Sequence, residues 1–138
     1  MTKKTAEFPP DAIDQVMDGY VLAALWSTND ESTPSGGEPL DKNYGWLDID
    51  GETLAWMRND CKRFMEENTS AIRRFMWETE KTEHEYDYIG HDFWLTRNGH
   101  GVGLWDRNAG AVSESLTKVC HKFGGVDLYV GDDGKICA

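Results

Sequence analysis

The sequence predicts an α+β fold, with a small antiparallel sheet built from two β-hairpins and packed against three to four helices. Two patterns carry this prediction. Apolar residues recur at helical spacing in four stretches, and short apolar runs flank Gly-rich turns near residues 100 and 132. A third observation makes the fold feasible: 39% hydrophobic residues, 12% aromatic and six tryptophans supply one packed core for 138 residues. A single domain over 1–138 is expected, with residues 27–43 a long loop or mobile excursion.

Pro10 and Asp11 suit a first helical turn, and Ile13, Val16, Met17, Tyr20, Val21, Ala24 and Leu25 follow at helical spacing, predicting a helix over 11–26. Ser27 to Asn43 is rich in Ser, Thr, Pro, Gly and acids, with almost nothing to bury. Trp46, Leu47 and Ile49 read as a short strand. Asp50 reads as the cap of a helix over 52–66 that carries Leu54, Met57, Cys61, Phe64 and Met65 inward. Asn68, Thr69 and Ser70 cap a further helix over 70–78, with Ile72, Phe75 and Met76 together. From Glu78 to Asp87 no period separates extended helix from loop.

Phe93–Arg97 and Val102–Trp105 flank Asn98-Gly99-His100-Gly101, the strongest hairpin signal in the chain. A two-residue turn at Asn98-Gly99 sets Leu95 against Val102, Phe93 against Leu104, His91 against Asp106 and Trp94 against Gly103. A four-residue loop instead pairs Trp94 with Trp105 and Asp92 with Arg107. Ala111–Phe123 reads as a helix with Ser113 as cap, Leu116, Val119, Cys120 and Phe123 inward, and Gly124 ending it. Val126–Val130, a turn through Gly131-Asp132-Asp133-Gly134, and Lys135–Cys137 make the second hairpin.

Charge and cysteine usage narrow the function classes. Twenty-five acidic against fourteen basic residues leave a net charge of −11, which repels nucleic acid and anionic membranes and attracts a basic protein surface. Direct nucleic-acid binding is disfavoured. No apolar run reaches the roughly 18 residues of a membrane span, and no signal peptide is legible, so a cytoplasmic protein is expected. Cys61, Cys120 and Cys137 form neither a C-x-x-C pair nor an even set, which fits a reducing compartment.

No catalytic residue, metal site or cofactor is assigned. His84, His91, Asp92, His100, Asp106 and His121 are metal-ligand types, but their spacings match no ligand signature, and a cross-strand ion pair accounts for His91 and Asp106. Cys61 and Cys120 fall on apolar helix faces, and no nucleophile elbow is present. Gly131 to Gly134 lacks the ligands of a calcium loop, and Gly99-x-Gly101-x-Gly103 sits inside a hairpin rather than between strand and helix.

Two candidate binding surfaces stand out. The hairpin would offer His91, Asp92, Trp94, Arg97, Asn98, His100 and Trp105, with its glycines admitting a partner backbone or flat ligand, provided Trp94 or Trp105 is exposed. The acidic candidate is Glu78, Glu80, Glu83, Glu85 and Asp87, with a second tract of Asp30, Glu31, Glu38, Asp41, Asp48, Asp50 and Glu52 ahead of it. Converged on one face among Trp46, Tyr86 and Tyr88, these carboxylates would resemble nucleic acid to a basic groove; scattered, they serve solvation.

The run Gly90-His91-Asp92-Phe93-Trp94-Leu95-Thr96-Arg97-Asn98-Gly99-His100-Gly101-Val102-Gly103-Leu104-Trp105-Asp106-Arg107 resembles the hallmark segment of a family of small, mostly uncharacterised proteins of tailed bacteriophages. The similarity extends to Met57, Asp60, Cys61 and Phe64 and to the closing Val126–Gly134, over roughly residues 46–138. It implies no particular catalytic residue. It implies a phage accessory protein in the cytoplasm of an infected bacterium. For a small acidic protein in that setting the first expectation is a modulator or inhibitor that binds a host nucleic-acid-handling or defence protein with a basic surface, by partial mimicry of nucleic-acid charge. The alternatives are a small-molecule or metal-dependent enzyme using the 91–106 hairpin and a structural or assembly component of the virion.

Overall fold

In the computed structural model, which describes residues 8–34, 36–99 and 110–138, helices dominate and the strands form short antiparallel ladders. Helix α1 (Ala12–Ser27) leads into β1 (Asn29–Asp30) and β2 (Glu38–Pro39). Helices α2 (Gly51–Glu67), α3 (Thr69–Glu78), α4 (Asp87–Arg97) and α5 (Ala111–Phe123) follow, and β3 (Tyr129–Val130) and β4 (Ile136–Cys137) come last. The α+β reading holds at that level. The two ladders, β1 with β2 and β3 with β4, belong to separate two-stranded sheets.

Helix α1 buries the stripe that its spacing predicts, from Val16 and Met17 through Tyr20 to Leu25. Helix α2 starts at Asp50, whose Oδ2 accepts from the Glu52 and Thr53 amides at 3.1 and 3.4 Å. Met57, Cys61, Phe64 and Met65 then face the core. Between α3 and α4 the chain turns through Glu80 at φ 58°, so the unassigned acidic stretch is a loop.

The hairpin over 93–105 is overturned. Phe93–Arg97, its expected first strand, is the end of α4, so neither hairpin register forms; Val102–Trp105 lies outside the described residues. Helix α4 is buried on nearly every side, and because the polar Asp92, Thr96 and Arg97 lie inside along with Ile89, Phe93, Trp94 and Leu95, no 3.6-residue alternation of apolar and polar residues marks it. Asn98-Gly99 is its C-terminal cap rather than a hairpin turn. The Asn98 amide donates to the Trp94 carbonyl and the Gly99 amide to the Thr96 carbonyl, with Gly99 at φ 74°. Left-handed glycine serves both devices, so the dipeptide alone does not choose between them.

Helix α4 approaches α1 backbone to backbone. A Cβ on Gly90 would lie 1.8 Å from the Val16 carbonyl oxygen, and one on Gly19 would lie 1.8 Å from that of Asp87. Two glycines therefore set this crossing. Around it, Phe93 stacks on Phe64 of α2 at 4.2 Å, Phe123 of α5 meets both rings edge-on, and Tyr20 packs on Phe93 and Trp94.

Three smaller expectations change. Trp46–Asp48 is a single 3₁₀ turn instead of a strand, because the Asp48 carboxylate accepts the Gly45 amide at 2.8 Å and curls the chain. Ile49 alone bridges to Ile136. Ser113 lies buried inside α5, whose cap position is Gly110 at φ 63°. Within 27–43, β1 pairs with β2 and Leu40 is fully buried, so that segment folds back on the core. The closing strands pair antiparallel with Val130 opposite Ile136, but the first strand is only Tyr129–Val130 rather than Val126–Val130.

Candidate functional site

Of the hairpin candidates, Asp92, Trp94 and Arg97 are buried, and His91 and Asn98 are half-buried. Trp94 is 1% exposed, and its indole Nε1 donates to Ser27 Oγ at 2.8 Å. Arg97 is buried: Nη1 donates to Asp60 Oδ2 at 2.8 Å and to Tyr20 Oη at 3.0 Å. Its Nε and Nη2 donate to the Gly124 and Phe123 carbonyls, closing the C-terminus of α5. One guanidinium thus ties four helices together. Asn98 donates to the Trp94 carbonyl and accepts from the Val126 amide at 2.7 Å, fixing where the chain leaves α5.

Asp92 is buried with His91 Nδ1 3.1 Å from its carboxylate, and the His91 ring lies 6.0 Å from that of Trp26. His100 and Trp105 lie outside the described residues, as does Asp106. Burial pushes the Tyr20 phenol and the Cys61 and Cys120 thiols up, which holds them protonated and unreactive at neutral pH. Among the described residues, no three His, Cys, Asp or Glu side chains gather to hold a metal ion.

The two acidic tracts lie toward opposite ends of α1. Gln15, near the start of α1, donates to the Glu83 carbonyl and accepts from the Tyr86 amide, while Thr28, just past its end, accepts from the Leu40 amide. Those points are separated by roughly 20 Å of helix. In the Glu78–Asp87 tract several carboxylates already have local work. Glu78 pairs with Arg74 at 3.0 Å, and the Thr82 amide bonds Glu85 and holds its carboxyl below the usual range. Glu80, Glu83 and Asp87 are exposed.

At the other end of α1 the β3–β4 hairpin brings in acids that the sequence reading set aside. The Asp50 amide donates to the Ile136 carbonyl at 2.9 Å, and Leu128, Tyr129 and Val130 share a small pocket with Asp30 and Leu40. Between the start of α2 and this hairpin opens a cleft of about 780 Å³, bordered by Asp50, Glu52, Trp56, Asp127, Tyr129 and Cys137. Its walls carry three carboxylates and no Lys, Arg or His. Among the described residues none of the three forms an ion pair, whereas Asp14, Glu38, Asp60, Glu67 and Glu78 all do.

Trp56 is 37% exposed and Tyr129 55%, so aromatic surface lies open beside carboxylates that meet no cation among the described residues. The Cys137 thiol is pushed up by desolvation and then by the charges of Asp50 and Asp133. A flat or apolar cation meets both requirements of such a wall. One signal for the cleft was present in the sequence: Trp56 falls off the Leu54, Met57, Cys61 stripe, where a large aromatic has no core to fill. Asp127 and Tyr129 gave none.

No helix is long and apolar enough to cross a membrane among the described residues. The chain matches no protein-family model, no curated protein and no solved structure.

Proposed function

We propose that this chain is a binding protein that occupies a basic surface of a host protein and thereby modulates or inhibits it. The observation that carries the reading is the cleft in which Asp50, Glu52 and Asp127 stand without a cation among the described residues, beside half-exposed Trp56 and Tyr129. Carboxylates spaced along one end of a protein of net charge −11 steer it toward a basic groove and give contacts that weaken with salt. With the tracts at opposite ends of α1, mimicry of nucleic acid is carried by this end alone. The resemblance to small tailed-phage proteins supplies the setting, a bacterial host whose nucleic-acid-handling or defence proteins present such grooves.

The test compares capture from bacterial lysate by wild type, by Asp50→Asn/Glu52→Gln/Asp127→Asn, and by Glu78→Gln/Glu83→Gln/Glu85→Gln. Asn at position 50 preserves the helix cap. A basic protein retained at low salt by wild type and the second triple variant, released at high salt, and lost by the first supports the reading. Retention by the cleft variant equal to wild type, or no retention at any salt, overturns it.

A further inference from the structure

We infer that the cleft between α2 and the β3–β4 hairpin is an anchor pocket for one arginine side chain of the partner, whose guanidinium packs against Trp56 and Tyr129 while Glu52 and Asp127 accept its N–H groups. This rests on the reading of the chain as a binder of basic proteins and names the group that it grips.

Three observations favour a guanidinium over other cations. First, the carboxylates come from separate elements, Glu52 from the first turn of α2 and Asp127 from the segment before β3, and no three ligands gather at a point among the described residues. Separated acceptors suit a planar donor fork better than a metal ion or a compact ammonium. Second, two aromatic side chains border the same space, and a weakly hydrated flat cation gains more from such rings than a strongly hydrated point charge. Third, the protein already makes this contact on Trp56: the Arg97 guanidinium carbon lies 5.4 Å from that ring centroid while Nη1 bonds the Asp60 carboxylate. The indole that closes over the internal guanidinium also borders the open cleft. At about 780 Å³ the space exceeds one side chain, which leaves room for the flanking residues of an extended basic segment.

The experiment uses Gly-flanked peptides with a single arginine, lysine or citrulline, titrated into the ¹⁵N-labelled full chain at low salt. Citrulline keeps the arginine shape and removes the charge. The arginine peptide is expected to shift the Trp56 indole and Asp127 amide signals, and to bind at least tenfold tighter than the citrulline peptide and several-fold tighter than the lysine peptide. Asp127→Asn and Tyr129→Ser, both exposed substitutions, are each expected to weaken it about tenfold, and Trp56→Leu more. Equal affinity for arginine and citrulline, or shifts confined to residues away from the cleft, sinks the proposal; equal affinity for lysine overturns its guanidinium specificity. Failure here is separable from failure of the wider reading. A basic partner lost by the triple carboxylate variant but held equally by Trp56→Leu leaves the binding function standing and removes the arginine pocket. Arginine peptide bound in the cleft with no basic protein retained from lysate does the reverse.

Discussion

Helix α4 and the cleft beside α2 are built from similar residue types, yet they use them oppositely. Both combine aromatic rings with charge: His91, Asp92, Trp94 and Arg97 in one, Asp50, Glu52, Trp56, Asp127 and Tyr129 in the other. In α4 the Arg97 guanidinium and the Trp94 indole meet partners inside the protein. In the cleft the carboxylates meet no cation among the described residues, and both rings are open to solvent. The contrast teaches that a conspicuous residue type can be spent inside the fold, as Trp94 and Arg97 are. Charge that meets no cation among the described residues is, on the reading proposed above, charge that a partner can still gain by meeting.

The contrast breaks first, and most strongly, at Arg97. Arg97→Met strands Asp60, Tyr20 and the last carbonyls of α5, and denaturant unfolding should show a loss of about 3–5 kcal/mol. Replacing both partners, in Arg97→Met/Asp60→Leu, should restore a large part of it. A single variant as stable as wild type would remove the structural account of this arginine. Next comes the glycine crossing. Gly90→Ala or Gly19→Ala sets a methyl against a backbone carbonyl and should cost about 1–3 kcal/mol or more, whereas Gly51→Ala, where nothing lies within 4 Å, should stay within about 0.5 kcal/mol. Equal effects at positions 90 and 51 would mean that the helices do not touch as described.

Alkaline pH probes the same interior. Burial raises Tyr20, Cys61 and Cys120, so the folded protein keeps protons that the unfolded chain releases above about pH 9 for the thiols and about pH 10 for the phenol. The stability these groups contribute is fully present below those values and falls as pH rises, by about 1.4 kcal/mol per pH unit for each ionised group. Thermal melts in a pH series should show that decline, and Cys61→Ala/Cys120→Ala, although less stable at pH 7, should fall less steeply between pH 9 and 10. A wild-type melting temperature that is flat to pH 11 would contradict it. The smallest effects belong to the cleft, where Asp127→Asn and Tyr129→Ser should change stability by no more than about 0.5 kcal/mol while reducing binding. A loss of several kcal/mol there would make the cleft as structural as α4.

Where the sequence read well, the signal was local. The helices over 11–26, 52–66, 70–78 and 111–123 follow from apolar spacing on surface-facing segments, and their observed bounds differ by a residue or so. The Asp50 cap and the Gly131–Gly134 turn are likewise set by bonds reaching a few residues along the chain, Asp50 accepting the Glu52 amide and Asp133 that of Lys135. The spacing misleads at α4 because its polar Asp92, Thr96 and Arg97 are buried along with its apolar residues, and because Asn98-Gly99 suits two devices. The candidate site fared worse. Asp50 and Glu52 were noted only as members of a tract, and Asp127 and Tyr129 not as a site at all.

By itself the sequence determined an acidic, helix-rich α+β chain with one core, because composition and local spacing fix how much surface can be buried and which stretches can bury it. Only the tertiary structure decided that Phe93 to Arg97 face inward as the end of a helix and that α2 and the last hairpin enclose a cleft. Both depend on contacts between residues far apart in the chain, Gly90 with Val16, Arg97 with Asp60, Asp50 with Ile136, which no short-range pattern records.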